Sequence, residues 1–200
     1  ILDEVRSRSR MRLEGASHSA AVARACSYFS AVRAFDDITG GISYFHFLEK
    51  TADAYSKDEN FRKDLIKKLK ETADKLFAAD NLMVCYTADE EGYKVLPGEL
   101  KKFKAVLNNK PGKRYTFEFT PELKNEGFKT SSKVNYVARC GSFAAESYTG
   151  ALEVLKVIMN YEYLWQNLRV IGGAYGCMSS FGRSGTGCLV SYRDPKLAAT

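Results

Sequence analysis

The sequence predicts an α+β fold, in which helices pack on one face of a mixed, mostly antiparallel sheet. Two observations lead to this class. Helical patterns dominate the first half of the 200 residues, whereas strand patterns and a glycine-rich hairpin dominate the end. Helices and strands also do not alternate one by one, as they do in parallel α/β proteins. Because no linker rich in Pro or Ser interrupts the chain, residues 1–200 are expected to form a single domain.

The first quarter of the chain is predicted to be helical. Residues 1–28 carry apolar side chains spaced among Arg and Ser, with a possible break at residues 15–18. A turn is expected over residues 30–33, and a second helix is expected to begin at Asp36. Residues 40–50 are rich in apolar side chains, so this part of the second helix should lie against the sheet.

The next helix has the strongest pattern in the chain. A capping box at residues 56–59 opens it, and it is expected to end near Ala79. Its apolar stripe consists of Phe61, Leu65, Leu69, Ala73 and Leu76. A buried strand is predicted for residues 82–86. A Lys-rich helix is predicted for residues 93–107, with a possible interruption at Pro97.

The second half begins with an irregular segment. Aromatic and polar residues alternate without helical periodicity over residues 113–132, which predicts an extended chain. A strand is predicted at residues 134–139. Thr149 then caps a long helix that reaches Leu168.

A β-hairpin is predicted after this helix. Its strands are residues 175–181 and 187–192, and the loop between them has the composition of a hairpin turn. Asp194 followed by Pro195 is a typical helix start, so another helix is expected to follow. The chain is therefore interpreted as a C-terminally truncated fragment of a longer, multi-domain protein.

Composition narrows the class of partner. The net charge is +6 and the pI is near 9.0, but 24 acidic residues are interleaved with 30 basic ones. The densest basic segments are residues 101–104 and 110–114, which suggest a solvated face or a wall that attracts an acidic partner more than a nucleic-acid module. No apolar run of 18 residues exists, so no membrane span is predicted.

The cysteines give no metal or disulfide signature. The five of them are Cys26, Cys85, Cys140, Cys177 and Cys188. Their odd number and the lack of a CxxC pair disfavour a disulfide scaffold and a zinc knuckle, and favour a reducing compartment. Each is interpreted as a small buried thiol.

Motifs for catalysis are incomplete. His46, Glu49 and Lys50 resemble the zinc motif His-x-x-Glu-His, but an ammonium group stands where the second imidazole is required. The second histidine, His18, is far away in sequence and is expected at the surface or hydrogen-bonded at a helix start. With no GxSxG motif and no P-loop, the chain does not look like a complete enzyme.

The most unusual polar stretch is residues 167–176. It places the cation of Arg169 and the phenol of Tyr175 six positions apart, on either side of Gly172 and Gly173. A glycine pair permits a sharp backbone turn. From the residues alone, Arg169 fits a surface or ion-pairing role and Tyr175 fits the core.

Several segments together resemble a known family. The more specific ones are Arg169-Val170-Ile171-Gly172-Gly173-Ala174-Tyr175-Gly176 and Ser191-Tyr192-Arg193-Asp194-Pro195. The weaker ones are Gly15-Ala16-Ser17-His18, Arg24-Ala25, Ser27-Tyr28-Phe29-Ser30 and Gly41-Ile42 leading to Phe47-Leu48-Glu49. Over essentially its whole length, the chain is similar to the C-terminal half of presequence-protease-type zinc metallopeptidases of the pitrilysin/insulinase family.

The resemblance implies a division of labour within a longer protein. Such proteins have four α+β units in two halves that close around a peptide substrate, with zinc in the first unit. This chain resembles the third unit, which binds no metal, so its partners would be the zinc-bearing N-terminal half and the peptide. Arg169 and Tyr175 would bind the peptide and stabilise the oxyanion opposite the zinc.

The same resemblance leaves an alternative open. Related units also serve as catalytically inactive structural or processing-partner subunits. In either case the chain alone is expected to be inactive, with no cofactor of its own and with neither nucleic acid nor a membrane as partner. The cytoplasm or an organelle matrix fits the expected reducing compartment.

Overall fold

The structure of the protein, a computed structural model, describes residues 1–110 and 115–196. The chain divides into two compact units, one comprising Ile1–Ala52 with Phe117–Thr200 and the other comprising Asp53–Thr116. The predicted α+β class is confirmed, because helices and an antiparallel sheet are both present. The expectation that residues 1–200 behave as a single domain stays a prediction.

The first unit opens with helices. They are α1 Leu2–Gly15, α2 Ser17–Ser27, α3 Ala31–Gly40 and α4 Ile42–Lys57, the last of which contains the division between the units. The predicted break near residues 15–18 is confirmed, since the chain leaves helical geometry at Ala16. No described helix is long and apolar enough to cross a membrane.

The sheet of this unit has the strand order β1-β3-β2, and both pairings are antiparallel. Its strands are β1 Asn135–Ser142, β2 Gly176–Gly182 and β3 Thr186–Asp194. Helix α2 packs against β1 and β3. The predicted strand near residues 134–139 and the predicted hairpin are confirmed, and Gly185 closes the hairpin with a φ of +80°.

The long helix before the hairpin changes its hydrogen bonding midway. It begins as α7 Gly150–Ile158 and continues as a π-helical segment, Met159–Ile171, and both parts pack against β2. Thr149 stands at the cap position as predicted, but its side chain makes no cap hydrogen bond. Asn160 joins the helix to the edge strand, because its Oδ1 accepts hydrogen bonds from the Ser179 backbone N–H (2.6 Å) and hydroxyl (2.9 Å).

A charged hub centred on Arg24 ties the irregular segment to the helices. The guanidinium donates to Asp37 Oδ2 (2.6 Å) and to both carboxylate oxygens of Glu126 (2.9 and 3.1 Å). It also donates to the Ser43 hydroxyl (2.9 Å) and the Tyr28 hydroxyl (3.1 Å). Since one side chain bonds residues of α2, α3, α4 and the extended segment, it fixes how these parts meet.

The second unit has little buried surface among its described residues. It contains α5 Glu59–Leu76 and α6 Glu90–Ala105. Ala78 is the only buried residue described in it, at an isolated parallel bridge with Asn108. The Asn108 side-chain amide also donates to the Asp74 carbonyl oxygen (3.0 Å), so this asparagine closes the connection between the two helices.

Several predictions about helix boundaries were wrong. Residues 30–33 are not a separate turn, because Ser30 caps α3, which begins at Ala31. The cap of α5 is Asp58, whose carboxylate accepts from two backbone N–H groups, so residues 56–59 do not act as the predicted capping box. That helix ends at Leu76 rather than near Ala79, and Pro97 does not interrupt α6.

Predictions about apolar surfaces were also partly wrong. Residues 82–86 form no strand, and Met83 is 86% exposed. The apolar stripe of α5 is present, but none of its residues is buried. Residues 40–50 contain the end of α3 and the start of α4, but the helix that packs on β1 and β3 is α2. The extended segment is confirmed over residues 115–130, whereas residues 113 and 114 lie outside the described part.

Asp194 makes one contact that is typical of a helix N-cap. The Asp194 carboxylate accepts a hydrogen bond from the Lys196 backbone N–H (2.9 Å), which is the contact that an N-cap side chain makes. Residues 197–200, where the helix was predicted to continue, lie outside the described residues.

Candidate functional site

The structure brings Arg169 and Tyr175 together. Arg169 lies near the end of the π-helical segment, and Tyr175 directly precedes β2. The guanidinium carbon of Arg169 lies 5.2 Å from the centre of the Tyr175 ring and 4.6 Å from that of Trp165. These are cation–π distances, so the two predicted residues lie in direct contact. We call this pair the Arg169–Tyr175 site.

The glycine pair makes this approach possible. A Cβ at Gly172 would lie 2.7 Å from the Leu168 carbonyl oxygen, and Gly173 has a φ of +84°. The backbone N–H groups of Gly172 and Gly173 close the helix end through the carbonyl oxygens of Asn167 and Arg169 (2.9 and 3.1 Å). The glycines are therefore needed for the turn itself.

Tyr175 presents its phenol to solvent between two cations. Its backbone N–H bonds the Arg193 carbonyl oxygen (3.3 Å), and the residue is 63% exposed. The guanidinium of Arg193 lies 5.8 Å from the ring centre, in addition to Arg169. Among the described residues, none forms a hydrogen bond with the Tyr175 hydroxyl. This site thus offers an unused O–H donor in positive surroundings.

Arg193 is the site residue that the sequence did not reveal. It has a φ of +50°, a left-handed conformation that is rare outside glycine. The opposing strand β1 has a register irregularity between Asn135 and Val137. A hydrogen bond with Tyr136 raises the pKa of Arg193 above its ordinary value. The only sequence signal was its place in the segment Ser191 to Pro195, which gives no hint of the backbone conformation.

Aromatic rings extend the site along the sheet. Tyr192 lies at ring-centre distances of 5.3 Å from Tyr136, 6.1 Å from Tyr175 and 5.2 Å from His18. His18 is thus an aromatic neighbour near the start of α2, and its Nε2 also contacts the Ser19 hydroxyl (3.2 Å). The four rings give the cations an apolar border.

His46 and Glu49 form a separate pair on α4. Their side chains share a helix face, with Nδ1 and Oε2 3.3 Å apart and both groups well exposed. Lys50 offers no metal ligand, so these residues do not fit a zinc site of the inverted-zincin type. A cleft of about 260 Å³ lies beside this pair, lined by Arg6, Ser7, Arg10, Phe45 and Glu49, and does not include the Arg169–Tyr175 site.

The two predicted basic segments belong to the second unit. Residues 101–104 are exposed on α6 in the second unit, and Lys110 is exposed as well. The remainder of the second basic segment, residues 111–114, lies outside the described residues.

Known proteins resemble this chain in sequence. Residues 125–200 match a family model described as "PreP C-terminal domain". "Protein HypA" of Clostridium perfringens is 34% identical, covering 96% of this chain and 20% of that protein. "Presequence protease 1, chloroplastic/mitochondrial" of Arabidopsis thaliana is 30% identical, covering 100% of this chain and 19% of that protein. "Presequence protease, mitochondrial" of Kluyveromyces lactis is 26% identical, covering 84% of this chain and 18% of that protein. The chain spans about a fifth of the length of these relatives.

Proposed function

Because this chain is similar in sequence to presequence proteases, we propose that it forms part of the wall of a peptide-degrading chamber. Its Arg169–Tyr175 site binds the peptide substrate and stabilises the charge that develops during hydrolysis. The chain acts together with the remaining parts of a longer polypeptide and does not cleave peptides by itself.

The exposed phenol between two guanidinium groups is the observation that carries this proposal. Cleavage of a peptide bond builds negative charge on the carbonyl oxygen. The unused Tyr175 O–H can donate a hydrogen bond to that oxygen. Arg169, 5.2 Å from the ring centre, and Arg193, 5.8 Å from it, favour the negative charge. Because these groups are already positioned by the glycine turn and β3, little reorganisation is needed.

The aromatic border supports a peptide as the substrate class. Peptides present alternating carbonyl groups and side chains, so a binding surface needs donors together with apolar contact area. Arg169 supplies a planar fork of donors for carbonyl or carboxylate oxygens. Tyr192 lies beside Tyr175, and Tyr136 lies beside Tyr192, so these rings supply apolar area.

His46 and Glu49 do not form a binding site for the zinc ion of such a peptidase. Only one imidazole is present there, and Lys50 replaces the second ligand. We therefore propose that the catalytic zinc is held in a part of the longer polypeptide that this chain does not span. From cysteine usage alone, we also propose a reducing compartment such as the cytoplasm or an organelle matrix.

The test joins this chain to the rest of a presequence-protease-type polypeptide and measures cleavage of a quenched fluorescent peptide. Tyr175→Phe removes only the hydroxyl, and Arg169→Met removes the guanidinium with its charge and its hydrogen-bond donors while keeping much of the side-chain volume. We expect kcat to fall by about 10²–10³-fold in Tyr175→Phe, as for other lost oxyanion donors. Arg169→Met is expected to raise KM as well, because its fork also holds the substrate.

The chain contains a matched control pair. The Arg183 guanidinium lies 5.7 Å from the Tyr148 ring, away from the site. Arg183→Met and Tyr148→Phe should therefore change kcat less than about twofold. If the site variants behave like these controls, the chain serves as a catalytically inactive structural or processing-partner unit. Cleavage of peptide by the 200 residues alone would also contradict the proposal.

A further inference from the structure

Three cysteines that are far apart in sequence meet inside the first unit. Cys26 and Cys188 are 3% and 4% exposed, and Cys140 is half-buried. The sulfur atoms of Cys26 and Cys188 are 3.6 Å apart, and all three sulfur atoms lie within 4.8 Å of one another. We call this group the three-cysteine cluster.

The fold produces this cluster through strand register and helix packing. Cys140 on β1 and Cys188 on β3 are direct partners in the antiparallel ladder, so their side chains lie on the same face of the sheet. Helix α2 packs on both strands, and Cys26 stands in its last turn. Each thiol therefore comes from a different, well-packed element, which holds the three sulfur atoms in place.

The spacing of the sulfur atoms suits one metal ion. Three points no more than 4.8 Å apart share a centre within about 2.8 Å of each, close to the Zn–S distance of about 2.3 Å. A movement of about 0.5 Å by each sulfur atom would complete the bonds. Thiolate ligands select soft ions, of which Cu⁺ and Zn²⁺ are the common ones.

We propose that Cys26, Cys140 and Cys188 form a three-thiolate binding site for a thiophilic metal ion of the Zn²⁺ or Cu⁺ type. On binding, three S–H bonds are replaced by three metal–sulfur bonds, and three protons pass to solvent. No oxidation occurs. Arg33 places positive charge near Cys26 and Cys188, which offsets part of the remaining negative charge. The site is independent of the proposed peptide-binding role.

The chain provides its own controls for this proposal. Cys85 is exposed and Cys177 is half-buried, and neither belongs to the cluster. The metal-free, phosphine-reduced 200-residue chain is titrated with Zn²⁺ against a chromophoric chelator, and separately with Cu⁺ against a Cu⁺-specific chelator. Co²⁺ serves as a probe, because thiolate ligation gives it a charge-transfer absorption.

We expect one equivalent of metal per chain in at least one of the two arms, and the successful arm identifies the ion. Cys26→Ala, Cys140→Ala and Cys188→Ala should each weaken binding by about 100-fold or more. Cys85→Ala and Cys177→Ala should bind as the unaltered chain does. Loss in all three variants separates a metal site from a disulfide, which would need only two of the sulfur atoms.

Two results would overturn the proposal. One is the absence of stoichiometric binding of either ion by a reduced chain whose circular dichroism is that of a folded protein. The other is equal weakening by Cys85→Ala and by the cluster variants. Because Cys26 and Cys188 are buried, their variants are also compared by thermal unfolding without metal. Cys140→Ala, at the less buried position, decides the question if either of the others is unfolded.

Discussion

Replacing Arg24 by Met tests whether the charged hub holds the first unit together. The substitution keeps much of the side-chain volume and removes every hydrogen bond from the guanidinium. Asp37, whose side chain is only 6% exposed, then loses its 2.6 Å ion pair. Glu126 loses its partner as well, but its side chain is 29% exposed and regains contact with water.

The magnitude follows from the burial of Asp37. Breaking a buried ion pair by removing one partner costs about 3–5 kcal/mol. Asp37 keeps a hydrogen bond from the Ile42 backbone N–H (3.0 Å). The expected loss of stability therefore lies near the lower limit of this range. The exposed Glu126 contact adds no more than about 1 kcal/mol. We therefore expect the free energy of unfolding to fall by about 3–4 kcal/mol.

Urea denaturation followed by circular dichroism measures this loss. With an m value of about 2 kcal/mol/M, the midpoint should fall by about 1.5–2 M. Arg33→Met is the matched control, because the Arg33–Asp36 pair is exposed and its atoms are 3.5 Å apart. That variant should lose less than about 0.5 kcal/mol. The reasoning is refuted if Arg24→Met is no less stable than Arg33→Met.

Two further predictions concern the turn and the hub. Gly173→Ala should lower the free energy of unfolding, measured by urea denaturation, by about 1–2 kcal/mol, because alanine is strained at a φ of +84°. Gly98→Ala, at an open position inside α6, should instead raise it by up to about 1 kcal/mol. A change of the same sign in both variants would contradict this reasoning. The hydrogen bond from Arg24 lowers the pKa of Glu126 in the folded state. The ionised Glu126 carboxylate therefore stabilises the fold above about pH 4.5, and this stabilisation is lost as the pH falls through the lowered pKa. The stability difference between the unaltered chain and Glu126→Gln should therefore shrink below pH 4.5, and a difference that stays constant with pH would contradict it.

Local signals in the sequence predicted most of the regular elements. Helices α5 and α6 were predicted from their amphipathic patterns, whereas their acidic caps, Asp58 and Asp89, were not identified. Residues 82–86 have an equally clear apolar pattern but form no strand. A strand requires a neighbouring strand, and a single segment of sequence does not contain that information. The π-helical hydrogen bonding was missed because its apolar spacing does not differ visibly from that of an α-helix.

The candidate site was predictable only where its parts are close in sequence. Arg169 and Tyr175 lie on either side of a single backbone turn, and the glycines between them predict that turn. Arg193 comes from another strand and requires a left-handed backbone, so no local pattern points to it. The three-cysteine cluster depends entirely on strand register and on the packing of α2, which explains why the five cysteines gave no signature in sequence.

The π-helical segment has a consequence for how chain length can vary among related proteins. Its last turn is closed by a bond from the Gly172 N–H to the Asn167 carbonyl oxygen, which spans five residues instead of four. Deleting one residue from an α-helix rotates everything after it by about 100°. In Met159–Ile171, we expect a deletion at an exposed position such as Tyr161 to be tolerated, because one wide turn can become an α-turn. Such a deletion would leave Arg169 at its position before the glycine turn.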